Sequence, residues 1–343
     1  MIPNIFDIAT KELHQDAFIV WLIKWADPEN EKYDPLLHAC GQDFVKQLIS
    51  KQYNDSISSI IIVEAGRQFK NIDVWAKIYT LNGNYYLIIE DKIFTTEHSD
   101  QLLKYKKLGE EYAENNNFIP VFIYLKTGSE SAVSMDLIIL KEFNLFKRQD
   151  FFDLLEKHKN ITNNIFTDYR NRLSTLHSSY QAFQIEQIGS WDKNPNCWIG
   201  FYQFLETQFS DLNWSFVNRR DGSGFWNAYF IPAINDRWYG HSVYLQIEQG
   251  KLCFKINTSG SEKDRVKLRY LRNELGKIII EKAAMLEISE IQKPKYPGTG
   301  EAMTVAVIEI DGWLGENDSI IDKEAVVIGL EKYKAFLRYV LNN

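Results

Sequence analysis

Between Ile72 and Lys92 the chain reads IDVWAKIYTLNGNYYLIIEDK, two strand-forming runs on either side of Asn82-Gly83. Asn-Gly between β-rich runs is the strongest short hairpin signal. With Asn82-Gly83 as a two-residue loop, paired positions sum to 165: Thr80 faces Tyr85, Ile78 faces Leu87, Trp75 faces Glu90 and Asp73 faces Lys92. Opposed residues share a face, as do positions two apart along a strand. The register therefore predicts Asp73, Trp75, Glu90 and Lys92 on one side and Asp91 on the other. An aliphatic strand ending in three charges carries a solvation cost unless the charges are used.

The flanking sequence extends the pattern. IATKELHQDAFIVWLIKWAD has helical spacing, with Leu13, Ala17, Val20, Trp21 and Trp25 on one apolar face, Thr10 as N-cap and Glu12 in the first turn. A second helix is expected over about 36–52, and SISSIIIVEAG reads as a buried strand ahead of the hairpin. TTEHSDQLLKYKKLGEEYAE then reads as a helix and FIPVFIYLK as a strand. DLIILKE is a further strand by its aliphatic content, followed by two helical stretches. A boundary is expected where Gly, Pro and Asn cluster at 189–196, giving domains 1–188 and 189–343. The second half mixes helices with strands NWSFVN, GFWNAYFIPA, HSVYLQIEQ, KLCFKIN and MTVAVIEI, an α+β pattern.

Composition excludes several classes. Of 343 residues, 45% are hydrophobic and 25% charged, which supports folded cores and argues against disorder. Three cysteines without CxxC spacing, and six scattered histidines, suggest neither a disulfide framework nor a thiolate zinc site, so a reduced, cytoplasmic setting is expected. No apolar run approaches the roughly 20 residues that span a bilayer, and the first residues lack a signal-peptide pattern, so no membrane partner is expected. The formal charge of −7 argues against coating nucleic acid by charge alone. Residues 1–189 hold 20 Lys+Arg against 26 Asp+Glu (−6), whereas residues 190–343 hold 19 against 20 (−1).

With the hairpin and the helix, three strands, helix, strand order assembled, the first 125 or so residues resemble the PD-(D/E)XK nuclease superfamily. Asp73 matches its isolated Asp and Glu90-Asp91-Lys92 its E-x-K, although "NID" replaces the Pro-Asp pair. QLLKY, Gln101 to Tyr105, is similar to the QxxxY motif of RecB-like members, and Glu12 lies where many members carry an acidic residue on the first helix. The resemblance implies a restriction-endonuclease-like αβββαβ core, a mixed central sheet flanked by helices, followed here by an α+β domain that recognises substrate, partner or effector. It further implies that Asp73 and Glu90, with the Asp91 carbonyl, hold Mg2+ (or Mn2+). Lys92 would orient or deprotonate the attacking water, and Gln101 and Tyr105 would bind substrate backbone or steady Lys92. A metal-dependent hydrolase of phosphodiester bonds follows, with DNA favoured over RNA by analogy. A catalytically silent binding or assembly subunit is the rival, and a homo-oligomer or a phage-defence partner are the assemblies to expect.

Each residue also has a plainer reading. Asp73, Glu90 and Lys92 would make a solvated cross-strand ion pair of little worth. Glu12 would serve the helix macrodipole, and Gln101 and Tyr105 would pack on the sheet. In EKDRVKLRYLRNELGK, Arg265, Arg269 and Arg272 fall on one helical stripe, and Arg219 and Arg220 sit in a turn beside aromatic residues. Phosphate contact and a solvated surface are the alternatives for both.

Overall fold

The computed structural model describes residues 3–342, apart from 54–56, 98–99, 219–221, 234–236, 259–263 and 297–299. The chain divides into two compact units, Met1–Ser178 and Ser179–Asn343. In the first, helices α1 (Ile5–Ile8), α2 (Glu12–Trp25) and α3 (Pro35–Ser50) precede strands β1 (Ile60–Phe69), β2 (Ile72–Thr80) and β3 (Gly83–Lys92). Helix α4 (Gln101–Asn116), strand β4 (Ile119–Lys126), helix α5 (Ala132–Leu140), strand β5 (Asn144–Lys147) and helices α6 (Arg148–Lys157) and α7 (Asn164–Gln181) follow. The division between the units falls inside α7, and residues 188–193 ahead of the next helix form a 3-10 turn.

The sheet order is β1-β2-β3-β4-β5. β1, β2 and β3 pair antiparallel, whereas β3 with β4 and β4 with β5 are parallel, as expected when α4 and α5 cross over between strands. Period-two alternation sends Val74, Ala76, Ile78, Leu87 and Ile89 into one core with α2, α3, α6 and α7. Tyr86, Ile88, Phe122 and Tyr124 enter a second core with Leu102 and Tyr105 of α4. Gly109 lets α4 lie close on that face, since a Cβ there would stand 1.9 Å from Ile88 Cδ1.

Four local expectations are corrected. The hairpin turns at Leu81-Asn82, with Thr80 opposite Gly83, so pairs sum to 163 rather than 165. Gly83 joins the ladder, and the Thr80 hydroxyl donates to its carbonyl at 2.6 Å. Residues 136–140 of DLIILKE are helical, because the side chain of Ser131 caps α5 at Ser134 N and opens a helix that an aliphatic run does not rule out. Lys11, not Thr10, is the N-cap of α2, its N–H donating to His14 Nδ1 at 3.2 Å. Finally, α2 exposes Leu13 and Ala17 and buries Gln15, Asp16, Ile19, Leu22 and Ile23.

The second unit contains α8 (Asn196–Gln208), β6 (Leu212–Asn218), β7 (Gly224–Phe230), β8 (Arg237–Trp238), β9 (His241–Glu248), β10 (Lys251–Asn257), α9 (Arg265–Met285), β11 (Ala302–Ile308) and α10 (Lys323–Asn342). Its antiparallel sheet runs β11-β10-β9-β7-β6, with β8 beside β9. Leu252, Phe254 and Ile256 lie opposite Ile247, Leu245 and Val243 on one apolar face, where Phe254 meets Phe336 of α10. Among the described residues, no helix is long and apolar enough to cross a membrane.

Candidate active site

The corrected register still gathers the charged residues. A shift of two residues preserves every face while exchanging partners, so the β2–β3 register, continued past Val74↔Ile89, sets Asp73 opposite Glu90. Asp73, Glu90 and Lys92 therefore project toward α4, while Asp91 points back toward α2. Lys92 Nζ forms a short ion pair with Glu90 Oε1, lies 3.4 Å from Asp73 Oδ2 and donates to the Asp91 carbonyl at 3.1 Å. The Asp91 N–H donates to Asp73 Oδ2 at 3.2 Å. One ammonium thus occupies the centre of two carboxylates and a carbonyl.

Glu90 is fully buried, and its Oε2 has no hydrogen-bond partner among the described residues. Burial first, then the Asp73 carboxylate, push its pKa up to about 8 against the pull of Lys92. For Lys92, burial alone would lower the pKa, but Glu90 and Asp73 outweigh it and hold the ammonium above its ordinary range. At neutral pH Lys92 is a cation. An oxygen-rich set in which Glu90 Oε1 and Asp73 Oδ2 face an ammonium and Glu90 Oε2 is left without a partner among the described residues fits a hard divalent cation, for which one or two carboxylates suffice. Among the described residues there is no cluster of three or more His, Cys, Asp or Glu side chains able to hold a metal, so the carboxylate count stays at two.

Glu12 reaches the end of β3 from α2. Its Oε1 accepts from Ile93 N at 2.9 Å and Thr95 Oγ1 at 2.6 Å, which ties the segment leaving the site to the first helix. Gln101 and Tyr105 bond to each other, Gln101 Nε2 donating to the Tyr105 hydroxyl at 2.6 Å. That hydroxyl in turn donates to the Asn71 carbonyl in the β1–β2 turn. Asn71 has φ 69°, in the left-handed region that Asn tolerates, and stands two residues before Asp73. The pair bonds to the turn ahead of Asp73, and among the described residues neither is hydrogen-bonded to Lys92.

Gln15 and Asp16, behind the sheet, escaped the sequence reading. Asp16 Oδ1 and Asp91 Oδ2 are both buried and have no hydrogen-bond partner among the described residues. Burial and then the Asp73 charge push Asp16 up to about 7, and burial with Asp16 raises Asp91 well above the carboxylate range. Gln15 Nε2 donates to Asp91 Oδ1 at 2.6 Å. The available signal was helical spacing, Gln15 to Ile19 and Leu22 at i+4 and i+7 and Asp16 to Ile19 and Ile23 at i+3 and i+7, masked by polarity.

In the second unit Arg265 and Arg269 are exposed, whereas Arg272 is half-buried with its guanidinium donating to Asn273 Oδ1. Arg219 and Arg220 lie outside the described residues. Arg272 instead lines a cleft of about 300 Å³ between α9 and β11 with Lys277 and Lys293.

A family model for the PD-(D/E)XK nuclease superfamily matches residues 3–194. Comparison with curated proteins and with solved structures returned no match.

Proposed function

The chain belongs to the PD-(D/E)XK nuclease superfamily, and from that premise we propose that it hydrolyses phosphodiester bonds on the face carrying Asp73, Glu90 and Lys92, using Mg2+ or Mn2+. The observation that carries this reading is the convergence of two carboxylates on one cation, with the buried Glu90 Oε2 left without a partner among the described residues. Asp73 and Glu90, with the Asp91 carbonyl, are the residues that would hold the metal. When bound, the metal acidifies water and neutralises charge on the scissile phosphate.

The protein's own groups divide the remaining work. In the metal-free protein Glu90 and Asp73 favour the ammonium form of Lys92, and the role that fits it is to orient the attacking water and offset charge on the phosphate. Tyr105 and Gln101 hold the turn that presents Asp73, and Glu12 fixes the chain beyond Lys92. Arg265 and Arg269 of the second unit offer exposed cations for phosphate contact. DNA is favoured over RNA by family analogy alone.

The test is incubation with supercoiled plasmid, linear duplex, single strands and RNA in Mg2+ or Mn2+, comparing wild type with Glu90→Gln. Metal-dependent cleavage by wild type that is lost in Glu90→Gln is the expected result. A folded, metal-binding wild type that cleaves none of the four would return the chain to a binding role.

A further inference from the structure

We propose that Gln15 is a positioning residue for the metal carboxylates, acting through Asp91, and that Thr127 and Tyr169 fix its amide. This rests on the metal-nuclease reading above. The starting point is a gap in the β-ladder. On the β4 side, β3 is paired through to its end, with Glu90↔Tyr124, Asp91↔Leu125 and Lys92↔Lys126. On the β2 side the ladder ends at Val74↔Ile89. Beyond that pair, the backbone of residue 91 is tied into the site itself, its N–H to Asp73 Oδ2 and its carbonyl to Lys92 Nζ. Rotation of this one residue would move the donor that aims Asp73 and the carbonyl that faces the cation.

The Asp91 side chain is what resists such rotation, and Gln15 holds it. A Gln amide has two acceptor lone pairs and two N–H donors. The carbonyl of Gln15 accepts from Thr127 Oγ1 and from the Tyr169 hydroxyl, each at 2.9 Å. Two hydroxyl donors on that oxygen settle which end of the amide faces Asp91, and Nε2 donates to Asp91 Oδ1 at 2.6 Å. All four side chains are buried, with Gln15 at 5% and Asp91 at 0% exposure. The chain of contacts joins α2, the residue following β4, and α7 to the strand that carries Glu90 and Lys92. Residues that hydrogen-bond to a metal-holding residue from behind typically contribute about 10–100-fold in metal affinity or activity.

The experiment measures Mn2+ dissociation constants, by electron paramagnetic resonance of free Mn2+, on the full chain without nucleic acid. Gln15→Met keeps the volume and removes the amide, and near-UV circular dichroism with melting in EDTA establishes that the variant is folded. Mn2+ binding weaker by about tenfold or more in the folded variant is expected. Affinity within twofold of wild type would overturn the proposal. Should Gln15→Met fail to fold, Thr127→Val with Tyr169→Phe releases the amide while leaving Gln15 in place. Weaker Mn2+ binding there supports the role, and unchanged binding overturns it. A wild type that binds no Mn2+ removes the metal reading itself, an outcome distinct from equal binding by wild type and variants.

Discussion

The ammonium of Lys92 lies 3.4 Å from the carboxylate of Asp73, while its short partner is Glu90 across the same face. A lysine placed there competes with any metal for the two carboxylates. Lys92→Ala is therefore expected to bind Mn2+ at least as tightly as wild type while cleaving at least about 100-fold more slowly, the low end for loss of a positioned catalytic group. Calorimetric Mn2+ titration alongside plasmid cleavage checks the split. Weaker binding together with lost cleavage would mean that Lys92 shapes the site rather than serving the reaction.

The raised Glu90 pKa sets the sign of a pH effect. In the metal-free protein the folded state holds this proton up to about 8, against an unfolded carboxyl near its ordinary value of 4.5. The stabilisation is present in full below the unfolded value and is lost as pH rises through the folded one. Asp16, raised to about 7, adds in the same direction. Melting in EDTA should fall between roughly pH 5 and 8.5, and Glu90→Gln should flatten that fall. A metal-free melting temperature that rises across this range would contradict the assignment.

A metal that takes the place of that proton should stabilise the fold. At a hundredfold excess over Kd the gain is about 2.7 kcal/mol, or roughly 5–11 °C for a domain of this size class. Differential scanning fluorimetry should show the rise in wild type, its reversal by EDTA and its loss in Asp73→Asn.

Tyr105→Phe removes the bond to the Asn71 carbonyl ahead of Asp73 together with the bond accepted from Gln101. A hydrogen bond of this kind contributes about 0.5–1.5 kcal/mol. Cleavage should fall together with stability, and Mn2+ affinity should drop with both. Full activity in a destabilised Tyr105→Phe would confine this tyrosine to packing.

Arg265→Gln with Arg269→Gln tests the second unit. If both arginines meet phosphates, duplex binding by the Glu90→Gln protein in EDTA should weaken, and its salt slope should fall by about 0.9 per lost contact. Fluorescence anisotropy over a salt series measures this, and an unchanged slope returns the pair to a solvated surface.

The site's faces were legible because a strand alternates with period two, and an error of two in the register leaves Asp73, Glu90 and Lys92 together. Which residues turn the hairpin was not legible, because Leu81-Asn82 and Asn82-Gly83 compete locally and the Thr80 hydroxyl bond to Gly83 forms only in three dimensions. Gln15 and Asp16 were hidden for a different reason. A hydropathy pattern assigns polar side chains to solvent, whereas Gln15 enters the core because it finds a buried partner on Asp91, and Asp16 is buried beside it. Residues 136–140 failed as a strand because a short aliphatic run has no period of its own to separate helix from strand.

Gly109 acts as a datum for the whole α4 face. Tyr105 stands one turn before it, about 6 Å along the axis, so the hydroxyl that grips Asn71 inherits its height above the sheet from a position with no side chain. An added methyl would collide with Ile88 Cδ1 at 1.9 Å and with Phe122 Cε1 at 2.8 Å. Clearing them would lift the helix and pull the Tyr105 hydroxyl out of range of a fixed turn. The alignment of Asp73 is in this sense a machining tolerance, set by how closely a bare stretch of helix can bed onto two strands.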